Sequence, residues 1–323
     1  MSNAEVKVIF FNRDWTLMQP KSGHFSPQDS HDWQLMPNVY NTLQDLFLKD
    51  YHLAVITNQP GIATGHTTIE LQQAINKELI SHYGDQYSDQ CTFFIADDPE
   101  SFLYKPNTGA VNKLLEKFSI DYVNSKVVGN TIEDIQFASN ANLNFIPADK
   151  FFNWQPQITV FCSFPGSGIS THISRYHPND IRVSLDDIIR SMNREYHIEW
   201  KEIYYNIEEK MIVEGLKNGA SIAIDRTNMS KKRRKRFIDI LQNMKKSEDS
   251  SAQNSKRIHI ICKYLDLPID LCKERYKTHH VKTERELWEM EEFFDRMESE
   301  FEPPELKEGF DLLITLDKTD LTT

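Results

Sequence analysis

Gln157–Thr171 reads QITVFCSFPGSGIST. Ile158–Cys162 is a short apolar run, the pattern of a strand covered on both faces in a parallel sheet. It ends in the small-residue turn Ser163-Phe164-Pro165-Gly166-Ser167-Gly168, and Ser170-Thr171 stand at the start of a predicted helix. That is the plan of a phosphate-binding loop, G-x-x-x-x-G-K-[ST], in which backbone N–H groups cradle phosphates, a lysine reaches the β/γ oxygens and a hydroxyl reaches Mg²⁺. The spacing is kept, but Ser163 replaces the first glycine and Ile169 the lysine. An uncharged, β-branched side chain neutralises no part of a triphosphate. The loop keeps its shape without its charge, and the expected nucleotide-binding stretch is Gly166, Ser167, Gly168, Ile169, Ser170 and Thr171.

Downstream of this loop the pattern alternates. Strands are expected at Ile158–Cys162, Ile181–Ser184, Ala220–Asp225, Arg257–Tyr264 and Leu312–Leu316. Helices are expected near Asp186–Arg194, Trp200–Lys217, Ser230–Lys245, Ile269–Tyr276 and Glu284–Glu300. The polar stretch Ser247–Ser255 (SEDSSAQNS) reads as a surface loop. Upstream, strand-like segments at Lys7–Phe11, His52–Ile56, Thr92–Ala96, Lys126–Gly129 and Asn144–Ile146 alternate with helix-like ones at Val39–Asp50, Thr67–His82, Asn107–Phe118 and Ile132–Asn140. Such alternation implies βαβ units and a parallel sheet. The expected fold is α/β, two tandem doubly wound parallel-sheet domains at 1–155 and 156–323, joined by the short linker Asn153-Trp154-Gln155-Pro156-Gln157.

The 323 residues suffice for two domains with separate cores. Hydrophobic content of 39% and charged content of 26% fit a soluble globular chain, and no apolar run is long enough to span a membrane. Met1-Ser2-Asn3-Ala4-Glu5 shows no basic stretch followed by an apolar one, so no secretory signal is expected there. Cys91, Cys162, Cys262 and Cys272 lack paired spacing and read as reduced thiols, which suits an intracellular protein of nucleus or cytoplasm. The net charge of −11 argues against coating nucleic acid by bulk electrostatics. Residues 1–155 carry 10 basic and 18 acidic side chains and residues 156–323 carry 27 and 30, so a polyanion contact is expected to be local and in the second half.

Ligands of open α/β sheets bind at the carboxyl ends of the strands. Four such ends in the first half carry polar residues: Asn12-Arg13-Asp14-Trp15-Thr16 after the first strand, Thr57-Asn58-Gln59, Lys105-Pro106, and Asn130-Thr131-Ile132-Glu133-Asp134. Together they resemble the four motifs of the haloacid dehalogenase superfamily, whose first motif is D-x-D-[GWx]-T in generic form. The resemblance implies an aspartate nucleophile, an aspartate acid/base, a phosphate-holding Thr and Lys, and motif-four carboxylates on Mg²⁺. Asp14, Thr57, Lys105 and Asp134 match. Asn12 sits at the nucleophile, Trp15 at the usual glycine and Asn130 at the first motif-four carboxylate. The implied metal set is therefore Asn12, Asp14, Asn130 and Asp134, with two carboxylates turned into amides. A neutral amide is a very poor nucleophile, and Mg²⁺ prefers charged oxygen ligands.

In the second half Asp186 follows a strand and reads equally as a base for an attacking alcohol or as a helix N-cap. The run Lys231-Lys232-Arg233-Arg234-Lys235-Arg236 is open to three readings: a solvated helix face, a phosphate grip or an import signal. Arg275, with Lys273 and Lys277, reads as a lid residue or a surface arginine. A dehalogenase-like half followed by a P-loop half resembles the polynucleotide kinase 3′-phosphatase family. The likeness extends to Ser30-His31-Asp32-Trp33, Ile56-Thr57-Asn58-Gln59-Pro60-Gly61-Ile62, Tyr104-Lys105-Pro106, Asp225-Arg226-Thr227-Asn228 and the stretch Phe301–Phe310. It implies removal of 3′-phosphates and addition of 5′-phosphates at nucleic-acid ends, with Mg²⁺ and ATP as cofactors, Asp186 as kinase base and Arg275 as a lid residue.

The family lysine is replaced at Ile169 and the family nucleophile at Asn12. The sequence is therefore expected to describe a pseudoenzyme that keeps nucleic-acid-end or protein-partner binding without turnover. The alternatives are an active kinase or phosphatase with atypical residues, and a nucleotide-sensing scaffold.

Overall fold

In the computed structural model, which describes residues 5–192, 196–247, 258–280 and 283–321, the chain forms two units, one ending at Trp154 and the next beginning at Gln155. The first holds strands β1 (Val8–Asn12), β2 (Met18–Gln19), β3 (Gln34–Leu35), β4 (His52–Asn58), β5 (Cys91–Ala96), β6 (Lys126–Gly129) and β7 (Asn144–Pro147). Helices α1 (Val39–Leu48), α2 (Ile69–Ser81), α3 (Gly109–Leu115), α4 (Ile132–Asn140) and α5 (Ala148–Phe151) connect them. The main sheet is parallel throughout, in the order β5-β4-β1-β6-β7.

Because side chains alternate across a strand, Ile9, Phe11, Leu53 and Val55 enter one core with α1 and α2 residues. Val8, Phe10, Ala54 and Ile56 enter another with Ala110, Leu114 and Phe137 of α3 and α4. Both faces are covered, as the unbroken apolar runs require. The pair β2–β3, antiparallel and two residues per strand, was not legible as strand in the sequence.

The second unit repeats the plan with β8 (Gln157–Cys162), β9 (Ile181–Ser184), β10 (Ile222–Asp225), β11 (His259–Leu265) and β12 (Leu312–Leu316), ordered β12-β11-β8-β10-β9 and again all parallel. Its helices are α6 (Ile169–Tyr176), α7 (Leu185–Met192), α8 (Lys201–Lys217), α9 (Lys231–Ser247), α10 (Ile269–His280), α11 (Glu284–Glu300) and α12 (Lys318–Leu321). From residue 248 on, the stretch read as a surface loop lies outside the described residues, as do Arg194 and Arg257 at the ends of an expected helix and strand. The four cysteines are free, and burial pushes the Cys162 thiol up to about 12. Among the described residues no helix is long and apolar enough to cross a membrane.

One polar cluster lies inside this second unit. Lys263, in the middle of β11, is buried with its Nζ 2.9 Å from His177 Nε2, and His177 Nδ1 lies 2.7 Å from Asp180 Oδ2. Burial pulls Lys263 down to about 8, against the opposing pull of Asp180, and lowers His177 as well. Unfolded lysine holds its proton up to the ordinary value of 10.5, whereas the folded one releases it near 8. Between these values the unfolded chain binds more protons, so this group makes stability rise with pH across that window. Urea unfolding of the whole chain at intervals from pH 7.5 to 10.5 should therefore be less pH-dependent in Lys263→Met than in the unmodified protein. An unchanged slope would show that Lys263 does not titrate in this range.

Candidate functional site

The first site is built where β1 stops. The chain turns directly after Asn12 and Arg13: Trp15 N donates to Met18 O at 2.7 Å, and Leu17 N donates to Arg13 O at 2.9 Å. The turn places Trp15 at φ 57, a left-handed conformation uncommon for a bulky residue. Its indole is fixed in compensation. Nε1 donates to Phe25 O at 2.9 Å, and the ring stacks on Phe25 at 5.7 Å between centroids. Asn130, at the end of β6, clamps the same turn: Nδ2 donates to Trp15 O, while Oδ1 accepts from Thr16 Oγ1 at 2.6 Å. A carboxylate would set an acceptor against the Trp15 carbonyl, so this contact requires the amide.

Asn12 uses its amide in the same two-sided way. Nδ2 donates to Asp14 O at 2.9 Å, and Oδ1 accepts from Lys105 Nζ at 3.0 Å. Lys105 is 3% exposed, and its Nζ also lies 2.5 Å from Asp134 Oδ1. The other oxygen of Asp134 accepts from the backbone N of Asn130 and Thr131 at 3.1 and 3.0 Å and from Thr131 Oγ1 at 3.0 Å. Thr131 and Asp134 thus form a reciprocal cap on α4, a short-range reason for a carboxylate three residues after a threonine.

Asp14 is held on every side. Arg13 Nε and Nη2 donate to its two oxygens at 3.1 and 3.2 Å, Thr57 Oγ1 at 2.6 Å and Gln59 Nε2 at 2.7 Å. The six expected residues, Asn12, Asp14, Thr57, Lys105, Asn130 and Asp134, are therefore drawn into one bonded network at the carboxyl edge of the sheet. Arg13 and Gln59 belong to it although sequence reasoning passed over them. The signal for Arg13 was its position, a charged residue at the end of the apolar run Val8–Phe11. Asp32 is structural: it accepts from Lys21 N, Ser22 N, Ser22 Oγ and Gln28 N at 2.6–3.0 Å. Burial alone would raise its pKa, but these donors together lower it.

The donor set does not fit Mg²⁺. Asn12 and Asn130 offer neutral oxygens already hydrogen-bonded, and the two carboxylates carry Arg13 and Lys105 as counter-ions. Among the described residues no group of three or more His, Cys, Asp or Glu stands together as a cation ligand set. The counter-charge at these strand ends comes from the chain's own cations.

The second site gathers at the carboxyl edge of β8. Gly166 and Gly168 take φ 82 and 96, which keeps the loop backbone in the form a phosphate cradle uses. Ser163 is more than a departure from the glycine pattern. Its N donates to Thr227 O at 3.0 Å and its Oγ to Leu265 O at 2.7 Å, tying the end of β8 to both neighbouring strand ends. Ile169 is buried at the first position of α6, whereas Ser170 and Thr171 are exposed. No residue from Ser163 to Thr171 is basic, so the loop itself does not fit a fully charged nucleotide triphosphate.

Helix α10 runs across the loop: a Cβ at Gly166 would collide with Cys272 O. Arg275 is half-buried on that helix, and Asp186 faces the Tyr276 phenol, whose pKa is raised by burial and then by Asp186. The cap alternative for Asp186 is corrected by the structure. Ser184 Oγ accepts from Asp187 N at 3.3 Å, so the serine caps α7 and Asp186 is exposed in the first turn.

The basic run is for the most part the solvated helix face expected, with Lys231, Lys232, Arg233 and Lys235 exposed, but Arg234 departs from it and most of the other cations carry acidic partners. Arg234 is fully buried, its guanidinium 2.8 Å from both Glu308 oxygens. Lys231 pairs with Glu305, Arg233 with Glu300, Lys235 with Asp239, and Arg236 with the buried Glu208. Lys273 likewise pairs with Glu291 at 3.0 Å.

Two parallel α/β domains, one with a phosphatase-type array at its strand ends and one with a phosphate loop, define the class. Residues 7–152 match the family model described as Polynucleotide kinase 3 phosphatase, and residues 158–304 match the AAA domain model. The chain carries a polynucleotide kinase 3 phosphatase-type domain followed by an AAA-type P-loop domain, and resembles the polynucleotide kinase 3′-phosphatase family in both halves and in their order.

A bifunctional polynucleotide phosphatase/kinase of Schizosaccharomyces pombe is 26% identical over 94% of this chain and 78% of its own length. A histidine biosynthesis bifunctional protein HisB of Blochmanniella floridana is 27% identical over 46% of this chain and 43% of its own. Among solved structures, a chain of the Pnkp1/Rnl/Hen1 RNA repair complex covers 49% of this chain and 47% of its own, at 21% identity and TM-score 0.35. A putative kinase from Chloroflexus aurantiacus covers 52% and 88%, at 14% identity and TM-score 0.37.

The closeness of α10 generates a test. Gly166→Ala places a side chain at φ 82 and against the Cys272 carbonyl. It should lower the stability of the second unit by about 1–3 kcal/mol, read as the urea midpoint, without altering the far-UV spectrum at low urea. A midpoint equal to that of the unmodified chain would mean α10 does not press on the loop in solution.

Proposed function

We propose that the protein is a catalytically degenerate relative of the polynucleotide phosphatase/kinases, one that engages nucleic-acid ends or a protein partner without turnover. The observation that carries this reading is the condition of Asp14. The residue that should serve as acid/base is held by Arg13, Thr57 and Gln59. Beside it, the nucleophile position offers only an amide already bonded to Lys105. Covalent phosphoryl transfer needs an anionic oxygen aimed at phosphorus, and neither Asp14 nor Asp134 is unpaired.

The second domain supports the same reading. A lysine about 4 Å from a phosphate oxygen at an effective dielectric of ~20 is worth about 4 kcal/mol. With Ile169 in its place that contribution is missing from both nucleotide affinity and the transition state. Backbone amides around Gly166 and Gly168 do not depend on the lysine and retain weak affinity for a phosphate group.

A 3′-phosphorylated oligonucleotide incubated with Mg²⁺ and the purified chain should remain unchanged over hours, and ATP should transfer no label to a 5′-hydroxyl end. Ile169→Lys should recover nucleotide affinity before any turnover. Label transfer by the unmodified chain, abolished by Asp186→Asn, or 3′-phosphate release abolished by Asp14→Ala, would overturn the reading.

A further inference from the structure

We infer that Arg13 takes the place of a metal cation in the first site: its guanidinium is a built-in counter-charge for Asp14, and the chain itself closes the site to divalent ions. The inference rests on the non-catalytic reading above and goes beyond it by naming the residue responsible.

Arg13 is 0% exposed. It makes a two-pronged contact with Asp14, the geometry in which a guanidinium holds a carboxylate best. Its remaining donors are fixed from α2. Nη1 donates to Asn76 Oδ1 at 2.9 Å, and Nη2 donates to Gln72 Oε1. Gln72 is itself anchored, its Nε2 donating to Thr67 Oγ1 at 2.8 Å. A guanidinium held by two buried amides on a packed helix is a fixed charge, unlike a surface arginine that swings into water. The turn at Trp15 makes the pairing possible, because it folds Asp14 back beside its own neighbour.

The charges then balance without any ion. Asp14 and Asp134 supply two negative charges, and Arg13 and Lys105 supply two positive ones. A divalent cation would leave this partly buried site with two uncompensated positive charges, close to a fixed guanidinium and a buried ammonium that both repel it. Asn12, Asn130 and Arg13 therefore act together. Restoring the two carboxylates alone leaves a fixed guanidinium on Asp14.

The test is metal binding by the full chain, with Mn²⁺ as the probe in isothermal calorimetry. The unmodified protein should show no saturable binding in the first site. The pair Asn12→Asp/Asn130→Asp should bind weakly, and adding Arg13→Met should tighten Mn²⁺ by about tenfold or more. Saturable binding by the unmodified chain as tight as that of the triple variant overturns the inference. So does a folded triple variant that binds no tighter than the pair.

Should Arg13→Met fail to fold, Asp14→Asn in EDTA decides. As the partner of a buried guanidinium, Asp14 should lower the Tm by about 5 °C when neutralised, and more than Gln59→Leu, which removes a neutral donor to the same carboxylate. A Tm that is unchanged or raised, as expected where a carboxylate only repels its neighbours, overturns it. Phosphate release in the oligonucleotide assay would instead sink the non-catalytic reading and leave the metal result to stand separately.

Discussion

A carboxylate withdrawn from water, fully at Asp134 and in part at Asp14, calls for a positive partner, and in the first domain this requirement organises the residues at the strand ends. Asp134 receives Lys105 and the amides at the start of α4; Asp14 receives Arg13, Thr57 and Gln59. The side chains between them, Asn12 and Asn130, are amides because each must donate on one side and accept on the other. An acid at either position would lose the hydrogen bond that its amide donates, to Asp14 O or to Trp15 O, and add a negative charge beside the carboxylates already present. The network is thus internally consistent as it stands.

The second domain shows the same economy by other means. Ser163 spends its hydroxyl on the carbonyl of Leu265 and its amide on that of Thr227, so the loop is anchored to β11 and to the end of β10. Ile169 turns the lysine position into part of the buried surface under α6. Phe164 joins Met229, Leu267, Cys272 and the α11 residues Met290, Phe294 and Met297 in an apolar core beneath α10. Order in the loop is therefore provided by packing and by fixed hydrogen bonds.

Much of this was legible in the sequence, for physical reasons that also mark the limit. Strands buried on both faces are apolar along nearly their whole length, so Val8–Phe11 and Ile158–Cys162, the latter interrupted by Thr159 alone, announced two parallel sheets. Ligands gather at strand ends, and the resemblance of the polar residues there to the haloacid dehalogenase motifs picked out Asn12, Asp14, Thr57, Lys105, Asn130 and Asp134 without any contact being known. Helix α1 was read two residues too long, because Asp50 adopts φ 55 and leaves the helix. What sequence spacing cannot carry is pairing across long separations. Arg13 meets Gln72 and Asn76 some sixty residues away, and Arg234 meets Glu308 over seventy. Neither partner leaves a local pattern, so Arg13 passed unnoticed, and none of the three readings left open for the run of six basic residues placed one of them in the core.

That run has a consequence for how the protein meets other molecules. Charges that are already paired within a few ångströms project a dipolar field that dies away quickly, and the screening of salt shortens it further. At a distance of a Debye length, a phosphodiester chain approaching α9 would sense the surplus acidity of the whole chain more than the paired cations Lys231, Arg233, Lys235 and Arg236, and Lys232 alone adds a single exposed charge. Long-range attraction of the sort that guides a ligand in before contact is thus weak from this face. Any encounter there proceeds at the pace of unguided diffusion, and a receptor that reads basic peptides in extended form would first have to unwind α9 and pull Arg234 out of the core.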